Sequence, residues 1–207
     1  MGRKDVKLGS VREAQRRLTR QRLVDAARQV FASDGYGQAA IGNIAAAAEV
    51  NRATFYLHFQ NKAEVFIAMV DQFWTEERLE FWRSLDPALT AGTPTAIRAW
   101  LKTAVDWYEA QAPLVLAWHE ALVVDDDAVK AWKAQMDMRT EALPNFLARF
   151  DPKDRVRAQT AILFLIIQLD LLCLRAVVQK VMKLNRREML DMLANMWVRA
   201  LPQPGNI

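Results

Sequence analysis

Between Asn51 and Lys62 the chain sets Arg52, Tyr56, His58 and Lys62 around Ala53, Thr54 and Leu57. The first four are donors of the kind that seats a protein on phosphate oxygens. The last three are small or apolar, suited to base edges and to a thymine methyl. At 100° per residue along a helix, Phe55 and Phe59 share one side and Leu57 points away from them. A leucine directed outward from a basic segment is out of place against water and in place against a base. Lys62 stands where a following helix begins, a position that favours an anion. Each of these residues alone is an ordinary surface group or core aromatic; their grouping is what points to DNA. No comparable set supports catalysis. His119-Glu120 lacks a nucleophile, Cys173 lies in an apolar run, and no glycine-rich phosphate loop is present, so an enzyme is not expected. Two histidines and one cysteine exclude the usual structural zinc site, and no cofactor is implied.

The elements that position these residues read as helices throughout, about nine of them, with no segment alternating like a strand. Ser10-Val-Arg-Glu13 fits a capping box ahead of Leu23, Ala26, Ala27, Val30 and Phe31, which recur at helical spacing up to Gly35. Ile41, Ile44, Ala45 and Ala48 mark a short second helix. Asn51 caps a third, expected to run to about Phe59, and Asn61 caps a fourth, with Phe66, Met69, Val70 and Phe73 on its buried side. Asp86 to Pro94 reads as a turn region. Helices are then expected from Pro94 to Gln111, from Pro113 to Leu122, after Asp125-Asp126-Asp127, from Pro152 to about Met182, and after the Asn185–Glu188 capping box. Pro144 should kink or end the helix it enters.

Charge divides the chain. Residues 1–62 carry a net +6 and the remainder −2, within an overall +4. A basic lobe joined to a mildly acidic one is the layout of a nucleic-acid binder with a second function. The expected domains are therefore a helix-turn-helix DNA-binding domain at 1–62 and a second helical domain at 63–207. Arg3, Lys4 and Lys7 form a basic arm that either trails in solvent or reaches a minor groove. The single cysteine and the absence of an apolar leader fit a reducing cytoplasm. The longest apolar run, Ala161 to Leu174, is too short to span a bilayer and is interrupted by Gln168 and Asp170, so no membrane role is expected.

The stretch Thr19–Phe31, then Gly35-Tyr36, Ile41-Gly-Asn-Ile-Ala45 and Val50-Asn-Arg-Ala-Thr-Phe-Tyr56-Leu-His-Phe59-Gln-Asn-Lys62, resembles the DNA-binding domain of the TetR (tetracycline-repressor) family. The resemblance implies phosphate contacts from Tyr56, His58 and Lys62, with Arg52, Ala53, Thr54 and Leu57 facing bases or backbone. Two departures stand out. Ala39 and Ala40 replace the hydroxyl residue that precedes helix two in the family, leaving Gln38 or Asn43 to supply that contact. Glu49 occupies a turn position that is usually glycine, which calls either for a strained backbone at Glu49 or for a slightly different turn.

All seven tryptophans follow Lys62. The resemblance implies a ligand cavity among helices of residues 94–150 with help from the long helix after Pro152. Within it Trp100, Trp107, Trp118, His119, Trp132, Met136 and Phe164 are the expected lining and Gln168 a polar anchor for a small apolar or aromatic effector. Asp106, Glu109 and Glu120 serve either a cationic ligand or ordinary surface pairing, and Asp170 is either paired or exposed to a cavity. The family also implies a homodimer through helices at 154–183 and 186–201, which would space two reading helices for successive major grooves. The expected function is a ligand-responsive regulator, most simply a repressor on a palindromic double-stranded operator. In it, the fourth helix links reading head to pocket. The alternative is a constitutive DNA-organising protein of the same fold without a ligand.

Overall fold

The computed structural model describes the backbone of residues 2–72 and 76–204 and the side chains of 11–72 and 80–204. The arm residues Arg3, Lys4 and Lys7, the capping Ser10, and Phe73 and Trp74 lie outside the described side chains, as does the backbone at 73–75 where the fourth helix was expected to continue. Among the described residues every regular element is helical. The chain forms two compact units. The first comprises Met1–Phe73 with Ala117–Val129, and the second Trp74–Leu116 with Lys130–Ile207.

The first unit holds α1 (Gly2–Gln38), α2 (Ile41–Ala47), α3 (Arg52–Tyr56) and α4 (Lys62–Gln72). It also takes the later part of α8 (Ala112–Val124) and the start of α9 (Asp126–Glu141). The sequence boundary at residue 62 did not anticipate this contribution from residues 117–129. The reason for it is aromatic. Phe31, Tyr36 and Phe66 meet edge-on or stacked with centroids 4.8–5.6 Å apart, and Trp118 of α8 stacks on Phe66 at 5.6 Å. Each such side chain, fully buried, contributes roughly 1.5–3 kcal/mol. The apolar stripe of α1 begins only at Leu23, so residues 11–18 are exposed on every side.

Gly35 ends the regular part of α1 with φ 74° and ψ 173°, a conformation open in practice to glycine. A Cβ there would also stand 2.8 Å from a Glu120 carboxylate oxygen, which would have to swing aside.

The second unit holds α5 (Glu76–Arg83), α6 (Leu85–Ala91), α7 (Pro94–Ala110), α10 (Pro144–Leu147), α11 (Arg155–Leu172) and α12 (Arg186–Ala200), with the remaining parts of α8 and α9. The expected turn at 86–94 is instead the helix α6, closed by Gly92 at φ 61°. Pro87 is tolerated because it falls in the first turn, where a backbone N–H has no partner to lose. Asp86 is buried yet satisfied. It accepts hydrogen bonds from the backbone N–H of Asn145 and Phe146 and from Asn145 Nδ2, and so caps α10 from another helix. Pro144 starts α10 rather than kinking α9.

Past Leu172 the backbone continues as a π-helical run, Cys173–Val178. Together the two form a 24-residue helix whose most apolar 18-residue stretch has mean hydropathy 2.3, long and apolar enough by composition to cross a membrane and longer than the run read from sequence. Ala158, Ile162, Leu165, Ile166 and Leu169 bury one side of it in the core. Val156, Phe164 and Leu171 stay exposed on the other. Cys173 is fully buried, and burial together with the Asp170 charge pushes its thiol up to about 12.

Gly35→Ala should lower unfolding free energy by at least about 2 kcal/mol in chemical denaturation. Gly37→Ala, whose added Cβ meets Glu120 only at 3.8 Å, should cost less than half as much.

Candidate nucleic-acid interface

Alpha-2 and α3 meet through a turn at Ala48–Asn51. Glu49 takes φ 56°, the left-handed conformation expected from its glycine-like position, and its carboxylate pairs with Arg22 at 2.8 Å. Both partners are largely exposed, so the ion pair offsets little of that strain. Ala40 precedes α2 without a side-chain cap, as its missing hydroxyl predicts, and Asn43 lies exposed on α2. Asn51 caps α3. Its Oδ1 accepts from the Thr54 backbone N–H at 2.8 Å and from the Thr54 hydroxyl at 3.0 Å. Helix α3 closes at Tyr56, shorter than expected, and Leu57 and His58 continue it as a turn.

Phe55 and Phe59 are buried against each other at 5.7 Å and anchor this segment. On the opposite side Arg52 and Ala53 are exposed, Tyr56 is half-exposed, and Leu57 has 72% of its surface open. Thr54 is half-buried. His58 is half-buried as well; burial first, then the charges of Arg16 and Arg20, hold its pKa below the ordinary imidazole value.

Lys62 behaves differently from its expected phosphate role. Its ammonium donates to the Tyr36 carbonyl at 2.6 Å and lies 4.3 Å from the centre of the Tyr36 ring. Burial lowers its pKa, against the opposing pull of Asp125 and Glu120. In this conformation the amine turns inward.

Glu120 of α8 and Asp125, at the junction of α8 and α9, complete an unexpected clasp on Tyr36 and Gly37. The Tyr36 hydroxyl donates to Asp125 Oδ2 at 2.7 Å, and the Gly37 backbone N–H donates to Glu120 Oε2 at 3.0 Å. Asp125 Oδ1 meanwhile accepts from the Asp127 backbone N–H at the start of α9. The visible signal was three consecutive aspartates; their partner 89 residues away was not visible.

The eight residues expected to line an effector site divide between the units. Trp118 and His119 belong to the first unit, both half-buried, with Trp118 stacked on Phe66. Trp100 is buried in the second unit, stacked on Phe81 at 5.1 Å and close to Trp82 and Trp197. Trp107 and Trp132 pack half-buried against that core, and Met136 is inside it. Gln168 opens onto a groove between α11 and α12. Phe164, 66% exposed, faces outward beside Val156 and Thr160 and so departs from an interior lining role.

Asp170 is paired. It accepts from the Tyr108 hydroxyl at 2.6 Å and faces Arg139, whose pKa burial lowers against the opposing pull of Tyr108 and Asp170. Arg139 also lies 4.3 Å from the centre of the Trp82 ring. Burial, then Asp170, pushes the Tyr108 phenol well above its ordinary value. Gln135 is buried nearby in sequence on α9, its Nε2 without a hydrogen-bond partner. Tyr108, Gln135 and Arg139 were missed because single polar residues inside helical stripes carry no periodic signal. Asp106 and Glu109 pair with Arg186 across to α12.

Residues 23–69 match the family described as bacterial regulatory proteins, tetR family. Over 52 residues the chain is 44% identical to the HTH-type transcriptional regulator SrpR of Pseudomonas putida, a stretch that is 25% of this chain and 24% of that protein. It is 35% identical over 69 residues to the HTH-type transcriptional repressor DhaR of a Mycobacterium species, covering 33% of this chain and 35% of DhaR. The chain thus matches only about a quarter to a third of the length of these relatives. In overall fold it is similar to a crystallised protein of Mesorhizobium loti described as a TetR-family transcriptional regulator, with TM-score 0.63 at 15% identity over 90% of this chain and 96% of that one.

The Tyr36 clasp predicts an alkaline limit. The phenol is neutral in the fold and its native pKa is raised, by burial first and by Asp125 next. Its contribution is therefore complete below the unfolded value of about 10 and is lost as pH rises above it. Thermal melting should fall more steeply above about pH 10 for the native chain than for Tyr36→Phe.

Proposed function

We propose that this chain, which belongs to the TetR family through residues 23–69, is a transcriptional repressor. It binds a palindromic operator as a homodimer and releases it when a small apolar or aromatic molecule occupies the second unit. The observation that carries the DNA-reading half is the exposure of Leu57, on the face opposite the buried pair Phe55 and Phe59. In this reading Ala53, Thr54 and Leu57 meet base edges, while Arg52, Tyr56 and His58 reach phosphates. Asn43 supplies a further backbone contact from α2. Lys62 joins them when its ammonium swings from the Tyr36 carbonyl, or it acts by positioning Tyr36.

The dimer is supported by the apolar outer faces of α11 and α12. Leu172, Leu184, Met189, Met192, Leu193 and Met196 line a groove of about 280 Å³, and Leu171 and Met192 are more than half exposed. An open apolar surface of this kind on two neighbouring helices is what a self-complementary four-helix contact covers. Phe164 belongs with this face. The effector site is assigned to Trp107, Trp132 and Met136 of the second unit, with Trp100 as its aromatic floor, while Gln168 belongs with the groove that the dimer contact covers. An effector acts only through a difference in affinity between the DNA-bound and released states.

Two outcomes test the reading. Tyr56→Ala should weaken binding to all duplex DNA and lower the salt slope by about one for each reading head of the dimer, whereas Leu57→Ala should change the selected sequence with little effect on slope. An unaltered preference for Leu57→Ala, in selection from random DNA, removes Leu57 from the reading surface. Met192→Glu with Met196→Glu should convert the dimer to monomer in sedimentation velocity while leaving the helical circular dichroism intact.

A further inference from the structure

The exposed first half of α1 carries more positive charge than the reading head uses. Arg12, Arg16 and Arg20 recur every fourth residue, so they form one row along the helix. All three are exposed, and among the described residues none lies within ion-pair distance of a carboxylate, although Asp71 feels the charge of Arg20. Glu13 and Arg17 flank the row, and Val11 and Leu18 lie on the opposite side, 64% and 56% exposed. A helix this open gains nothing from packing. Its charge invites a partner.

The position of the row favours one partner. Arg20 lies with its guanidinium 4.6 Å from the centre of the Phe59 ring, at the end of the reading segment. Arg16 and Arg20 both act electrostatically on His58, which the reading above directs to a phosphate. The row therefore starts beside the reading segment and runs away from it toward the N-terminus. Its eight-residue span is about 12 Å of helix axis, against about 3.4 Å between successive phosphates of one strand along a duplex. Three guanidiniums at that pitch can follow a strand. Each can take phosphate oxygens in a bidentate fork.

Resting on the DNA-binding reading, we propose that Arg12, Arg16 and Arg20 form a second, sequence-independent phosphate contact that extends each reading head along the DNA backbone beyond the bases it reads.

The test is the salt dependence of binding to a random-sequence duplex, measured for the full chain and for Arg12→Ala/Arg16→Ala/Arg20→Ala. Alanine keeps the helix and all three sites are exposed, so the circular dichroism should hold, with only a small fall in melting temperature from the lost stacking of Arg20 on Phe59, which the lysine variant separates from the charge effect. Each lost contact should lower the slope of log affinity against log salt by about 0.9. Between 50 and 200 mM salt the affinity ratio should then shrink by up to about 40-fold for each reading head of the dimer that loses its three contacts. The sequence selected by Leu57 and its neighbours should not change. The corresponding triple lysine variant should keep most of the slope. An unchanged slope in the alanine variant overturns the proposal, and so does loss of binding to phosphatidylserine vesicles with DNA binding intact, which would assign the row to a membrane surface. Failure of the unaltered chain to bind duplex DNA would instead overturn the reading on which the proposal rests.

Discussion

Helix α3 is five residues long, and a helix that short does not persist in water by itself. The face that would read DNA exists only because Phe55 and Phe59 are held in the core while Asn51 satisfies the N–H of Thr54. The core that receives them is built from α1, α2 and α4, and its aromatic centre is closed by Trp118 from a distant part of the sequence. The exposed residues of the interface therefore inherit their geometry from buried ones. Leu57 and Tyr56 can vary in chemistry without loss of fold. Phe55, Phe31 and Phe66 cannot.

The second unit solves a different problem, that of keeping polar groups inside an apolar helix packing. Asp170 interrupts the most apolar helix of the chain and is tolerated because the Tyr108 hydroxyl donates to it and the Arg139 charge faces it. Asp86 is tolerated because it supplies the N-terminal cap that α10, opened by Pro144, does not carry itself. A buried carboxylate with full partners specifies one arrangement of helices and resists sliding, since any shift leaves a charge without its bonds.

Much of the first unit was legible in the residues. The stripe Leu23–Phe31 ending at Gly35, the cap Asn51 and the outward Leu57 follow from periodicity and local chemistry, which act over a few residues. The strained Glu49 followed from comparison with a family pattern. What the sequence hid were pairings over long separations, among them Tyr36 with Asp125 and Phe66 with Trp118. Trp118 and His119 were placed with the effector because tryptophan marks apolar surface without saying whose. Phe164 was placed inside for the same reason. Asp86 and Pro87 suggested a turn, although an aspartate and a proline in a first helical turn are equally acceptable.

Cys173 has a practical consequence. A thiol with a pKa near 12 is almost wholly protonated at neutral pH, and this one is also shut away from solvent. The native protein is in effect a cysteine-free background. A cysteine introduced on an exposed helix position would be the one thiol that a spin label or fluorophore finds. Distances between labelled reading heads could then be followed in solution without first removing the resident residue.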